Sequence, residues 1–182
     1  DGKVKPKVLI PVFPGTNCEY DSADAFTFAG AESNIVVVRN QNPDDLAASV
    51  CELTKALKES QILMLPGGFS AGDDPEGSAK FIAAIFRDPA LKEAVAAHLD
   101  RKNLILGICN GFQALVKLGL LPYGEIRDLS DKDPTLTFNR IGRHISTMAR
   151  TKLISKLSPW YSEAELGKIY TVPISHGEGR FV

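Results

Sequence analysis

Continuous apolar blocks alternate along this chain with stretches in which apolar residues recur every three or four positions. Residues 7–13 (KVLIPVF), 34–38 (NIVVV), 61–65 (QILML) and 104–108 (LILGI) are the blocks. They are short and rich in β-branched residues, the pattern of parallel strands covered on both faces. Asn17 is placed to cap a helix that runs to about Ala29 and stops at Gly30. Asn42 followed by Pro43 opens a second helix, on which Leu46, Val50, Leu53 and Leu57 share one face. A helix from about Glu76 to Arg87, and another opened by Asp88 and Pro89 with Leu91, Val95 and Leu99 in line, precede the fourth block. This alternation predicts an α/β fold, a doubly wound parallel sheet with right-handed crossovers. Beyond Gly119 the pattern loosens: 121–133 reads as a loop, 136–138 and 144–149 as short strands, 162–166 as a short helix and 168–174 as a better strand. Without a repeat or a low-complexity linker, residues 1–182 read as one domain.

Composition narrows the function classes. With 44% apolar and 24% charged residues the chain is ordinary globular material, and a net charge of -1 with dispersed lysines and arginines gives no reason to expect nucleic acid. The apolar blocks are far shorter than a membrane span. Three widely spaced cysteines make neither a disulfide framework nor a metal-binding pair, so a reducing compartment, the cytoplasm, is expected. Asp1 at the start and the stop at Val182, just past a Gly-rich turn, read as the ends of a piece excised from a longer polypeptide.

The chemistry centres on Gly107-Ile108-Cys109-Asn110-Gly111, where the fourth block turns into an amphipathic helix. Glycines two positions before and two after Cys109 let neighbouring backbone approach, so that the cysteine can occupy a strained strand-to-helix corner. A thiol there lies where unpaired N–H groups and the helix dipole favour negative charge. The same pattern also fits a small buried cysteine at an ordinary turn. Ser175-His176-Gly177-Glu178-Gly179-Arg180 follows the last strand. Gly177 lets the backbone curl so that the Glu178 carboxylate can reach one imidazole nitrogen while the other faces a thiol, the logic of a nucleophile, a base and its orienter. A surface turn with a solvated His and Glu is the alternative. Backbone N–H groups at Asn110 and at the Gly67-Gly68 pair are candidate oxyanion donors, and Gln113 lies one helical turn beyond Cys109. Cys18 and Cys51 read as structural, His98 and His144 lack metal-ligand spacing, and the acidic stretch 72–76 reads as a solvated loop, so no metal site is expected.

Taken together, PGGFSAGD at 66–73, GICNGFQAL at 107–115, SHGEGRF at 175–181 and PGTNCEYD at 14–21 resemble class I glutamine amidotransferase domains. They are most similar to the glutaminase portion of the phosphoribosylformylglycinamidine synthases. The resemblance covers nearly the whole chain; 139–145 matches the family's substrate-facing segment only loosely. It implies a flavodoxin-like, mainly parallel sheet with helices on both faces. It also implies a triad of Cys109, His176 and Glu178, an oxyanion hole from Gly68 and Asn110, and glutamine contacts from Gly67, Phe69 and Gln113. The implied activity is glutamine hydrolysis through a glutamyl thioester. The ammonia would pass to a synthetase partner, of the same polypeptide or complex, that converts formylglycinamide ribonucleotide to formylglycinamidine ribonucleotide. No cofactor is implied in this portion; ATP and Mg belong to the synthetase. A cysteine hydrolase or chaperone of the same fold, or a catalytically silent docking domain, are the alternatives.

Overall fold

A computed structural model describes residues 4–69 and 79–182. The chain divides into two compact units, one comprising Asp1–Leu136 with Phe181–Val182 and the other Thr137–Arg180.

The first unit is built on a four-stranded sheet of β1 (Lys7–Val12), β2 (Glu32–Val37), β3 (Ile62–Leu65) and β4 (Leu104–Gly107), in the order β2-β1-β3-β4. All three pairings are parallel. This is the flavodoxin-like order, whose crevice lies at the carboxyl ends of β1 and β3, where successive connections run in opposite directions. The central strands are buried as their unbroken apolar runs require; Val8, Leu9, Ile10, Leu63, Met64 and Leu65 are all at most 1% exposed. α1 (Glu19–Phe28) and α2 (Pro43–Glu59) each pack on β1 and β2, and α2 also packs on α4 (Pro89–Asp100). α3 (Lys80–Phe86) and α5 (Asn110–Leu118) pack together, and α5 also lies on β3 and β4.

Two of the helix starts follow the sequence reading closely. Asn42 accepts a hydrogen bond from Asp45 N (2.9 Å) ahead of Pro43, and Asp88 accepts from Ala90 N (2.9 Å) ahead of Pro89. Asn17, by contrast, does not cap α1. Its carboxamide oxygen accepts from the Cys18 thiol (3.1 Å), its N–H reaches Gly67 O (3.4 Å), and the helix starts one residue later with Cys18 at the cap position. The start of the helix expected from Glu76 lies outside the described residues. A short helix, α6 (Leu120–Tyr123), takes up the start of the expected loop.

The second unit is an antiparallel ribbon of β6 (Ile145–Lys152) and β7 (Ile169–His176), in register from Ile145 opposite His176 to Lys152 opposite Ile169. Its connection carries a 3-10 turn at Pro159–Tyr161 rather than the expected helix at 162–166. The stretch is too short to propagate one, and successive turn bonds such as Ala164 N to Tyr161 O satisfy its backbone instead. The two-residue strands β5 (Leu136–Thr137) and β8 (Arg180–Phe181) pair where the chain leaves and re-enters the first unit. Of the whole second unit only one residue is buried, and it is polar: Asn139.

Candidate active site

Cys109 stands between β4 and α5 with φ 53° and ψ -112°, a left-handed conformation that is strained for a residue with a side chain. Packing around it enforces that corner. A Cβ on Gly107 would lie 2.7 Å from Gly111 O, and one on Gly111 would lie 2.0 Å from Leu65 O. Both glycines are therefore required for α5 to close on β3 and β4. The thiol is exposed at the start of α5, so Cys109 is not a core cysteine.

The turn after β3 is held against the turn after β1. Thr16 and Gly68 form an isolated antiparallel bridge whose bonds run from Asn17 N to Gly67 O and from Phe69 N to Gly15 O (2.8 Å). The bridge does not use the N–H of Gly68 itself. Gly68 has φ +134°, and a Cβ there would lie 2.5 Å from Gly15 O, so only glycine fits. A Cβ on Gly67 would meet both Cys109 Cβ and Cys18 Sγ, each at 3.4 Å. Thus Gly67, Gly68 and Cys109 form one cluster, with half-exposed Phe69 following it.

On α5, Asn110 is buried and its side chain donates to Gln113 Oε1 (3.1 Å). That bond ties the Gln113 amide to the helix start one turn from the thiol.

Cys18 was read from the sequence as structural, yet it lies in this cluster. Burial raises its thiol pKa, aided by Asp21, Cys109 and Glu19. It is therefore a protonated thiol, a weak nucleophile, at neutral pH. The signal that could have found it is topological: β1 neighbours β3, so the β1–α1 turn must lie beside the Gly67-Gly68 turn.

His176 and Glu178 belong to the second unit, His176 as the last residue of β7 and Glu178, half-buried, in the turn that follows. His176 Nδ1 is 2.9 Å from Asn139 Oδ1. Sequence reasoning reached Asn139 only as the first residue of 139–145, a loose match to the family's substrate-facing segment, and not as a partner of His176. The two lie 37 positions apart, and only the ribbon's register reveals that they meet. His144 Nε2 bonds Ser175 Oγ (2.8 Å) on the same ribbon. Among the described residues, no group of three His, Cys, Asp or Glu side chains could hold a metal ion, and no helix is long and apolar enough to cross a membrane.

Comparison with known proteins gives a consistent result. Residues 5–182 match the family model described as a CobB/CobQ-like glutamine amidotransferase domain. The phosphoribosylformylglycinamidine synthase subunit PurQ of Methanococcus maripaludis is 35% identical over 179 residues, covering 98% of this chain and 60% of the relative. Its counterpart from Dehalococcoides mccartyi is 36% identical over 178 residues, covering 98% and 64%. The chain therefore spans somewhat under two thirds of the length of these curated relatives. Among solved structures, PurLQS from Thermotoga maritima superposes with a TM-score of 0.70 at 28% identity, covering 98% of this chain and 70% of that one.

Proposed function

The chain belongs to the family of CobB/CobQ-like glutamine amidotransferase domains, and from that premise we propose that it is the glutaminase portion of a phosphoribosylformylglycinamidine synthase. Cys109 is the nucleophile, and its sulfur attacks the side-chain carboxamide carbon of glutamine. Charge building on the carbonyl oxygen is met by the N–H groups of Gly68 and Asn110. His176, oriented by Glu178, gives a proton to the departing ammonia. It then takes one from the water that hydrolyses the glutamyl thioester, leaving glutamate and a free thiol. Gly67, Phe69 and Gln113 hold the substrate.

The ammonia serves a synthetase partner that amidates formylglycinamide ribonucleotide. The ATP and Mg²⁺ of that step are bound there, and this portion uses no cofactor. A reducing, cytoplasmic setting fits its three free, widely spaced cysteines.

The observation that carries the reading is the strained, exposed Cys109 at the head of α5, packed beside Gly67 with Gln113 one helical turn further on. A silent docking domain would have no reason to keep a cysteine in so costly a conformation, which is worth about 1–3 kcal/mol. The test is glutamate release from glutamine by the chain combined with the synthetase of the same source. Release that disappears in Cys109→Ala is expected; a folded mixture that releases no glutamate would refute the assignment.

A further inference from the structure

We propose that Cys18 is the resolving thiol of Cys109: when a peroxide oxidises the exposed Cys109 sulfur, Cys18 closes on it as a reversible disulfide. That bond withdraws the nucleophile from glutamine, a consequence that rests on the glutaminase reading; the pairing itself does not.

Two turns distant in sequence bring the thiols together. Cys18 stands at the head of α1 and Cys109 at the head of α5. The Thr16–Gly68 bridge, with its bonds from Asn17 N to Gly67 O and from Phe69 N to Gly15 O, ties the turn before Cys18 to the end of β3. Ile108 N in turn donates to Leu65 O (3.1 Å), so the residue before Cys109 belongs to the same hydrogen-bonded frame. Gly67 is the residue the two cysteines share. The position of its missing Cβ is 3.4 Å from Cys109 Cβ and 3.4 Å from Cys18 Sγ, so these two atoms are at most twice that distance apart. Turning a cysteine to its next staggered rotamer carries the sulfur about 3 Å. Side-chain rotation therefore spans the gap down to the short Cβ–Cβ separation of a disulfide, about 3.5–4.5 Å. Neither thiol is locked away: Cys109 is exposed, and the partly exposed Cys18 thiol gives up one bond, to Asn17 Oδ1 (3.1 Å).

The two sulfurs are suited to different steps. Burial, then Asp21 and Cys109, hold the Cys18 thiol protonated, which leaves the first oxidation to its exposed neighbour. Held beside its target, Cys18 then needs no high intrinsic reactivity. In the first step the Cys109 sulfur attacks the peroxide O–O bond and keeps one oxygen as a sulfenic acid. The other oxygen leaves as water or alcohol with the thiol proton; sulfur loses two electrons and the peroxide gains them. In the second step the Cys18 sulfur attacks the sulfenic sulfur. An S–S bond forms, the S–O bond breaks, and the Cys18 proton departs with the hydroxide as water. The disulfide stops Cys109 short of the irreversible sulfinic and sulfonic acids, and exchange with a small thiol restores both cysteines. Cys51 is not placed for this chemistry. It is exposed on α2, in a groove lined by Leu46, Val50 and Ile85 and by none of the residues around Cys109.

Hydrogen peroxide is the probe, applied to the full chain and followed by alkylation of the remaining thiols. Trypsin places the three cysteines on separate peptides, 8–39, 40–55 and 103–117, so mass spectrometry without reduction reads the pairing directly. The expected product links 8–39 to 103–117, leaves Cys51 alkylated and disappears with dithiothreitol. Cys18→Ser should leave Cys109 as a sulfenic acid that dimedone traps, and should raise its conversion to sulfinic and sulfonic acids about tenfold. Absence of the linked pair from the wild-type chain overturns the proposal, as does a pair that uses Cys51 instead. Equal over-oxidation of Cys109 in wild type and Cys18→Ser overturns it too. Should Cys18→Ser fail to fold, the wild-type peptide map decides alone. A linked pair in a chain that releases no glutamate when reduced and combined with its synthetase would strike the glutaminase reading and leave the Cys18 assignment standing.

Discussion

The two units hold their reactive groups by different physical means. In the first, Cys109 is forced into its strained corner by close packing: Gly107 and Gly111 let α5 close on the buried strands β3 and β4, and the cost of strain is borne by an extensive apolar core. In the second, no apolar residue is buried at all, and the His176 ring is held by one hydrogen bond, from Nδ1 to the one buried residue, Asn139. A packed corner is rigid because any displacement creates overlap or a void. A polar hub is rigid only while every one of its bonds is satisfied. Small changes should therefore be felt as lost stability in the first unit and as lost chemistry in the second.

The sharpest contrast within the corner is Cys109→Ala, which should lower glutaminase turnover by about 10⁴-fold or more, as expected for loss of a nucleophile. It should leave urea unfolding nearly unchanged, because the exposed thiol contributes little packing. The same glycine-to-alanine change can then be compared in both units. Gly111→Ala places a methyl 2.0 Å from Leu65 O and should cost about 3 kcal/mol of stability, measured by denaturant unfolding. Gly179→Ala places one 2.3 Å from His176 Nδ1 on an exposed turn. It should lower kcat about a hundredfold with a much smaller change in unfolding midpoint. If Gly179→Ala instead unfolds the protein while keeping full turnover per folded molecule, the distinction between the units fails.

Smaller effects test the first unit's framework alone. His98 is fully buried, with Nε2 3.1 Å from Leu104 O, and desolvation lowers its pKa below the ordinary value. The unfolded chain, with an ordinary histidine near pH 6.5, then binds a proton before the folded one does. Stability from this group is complete above about pH 6.5 and is lost as pH falls from there through the lower folded-state pKa. Denaturant unfolding at a series of pH values should show that decline, and His98→Gln should flatten it. Removing the α2 cap with Asn42→Ala should cost about 1 kcal/mol in the same assay and leave turnover per folded molecule unaltered.

This difference also explains what could be read from the sequence. The corner is local: an apolar block, a Gly-x-Cys-x-Gly turn and an amphipathic helix lie within sixteen residues, and each signal has a steric meaning. The caps at Asn42 and Asp88 are local in the same way. Asn17 misled because its side chain is engaged by the thiol of Cys18 and its backbone by the turn after β3, a tertiary demand that overrides a capping preference. Asn139 was illegible as the partner of His176 because nothing in FNRIGRH announces a contact 37 residues away; only the pairing of Ile145 with His176 brings the segment back across the ring. Cys18 escaped for a related reason, since its neighbours come from strand order rather than from sequence.

The central claim is that Cys109 is a glutamine-reactive nucleophile. It is tested most directly by mass spectrometry after incubating the chain, with its synthetase present, with the glutamine-analogue electrophile 6-diazo-5-oxo-norleucine. A single adduct mapped to Cys109 and absent from Cys109→Ala is the predicted result. Modification of Cys18 or Cys51 in its place, or no adduct on the folded complex, would contradict the account.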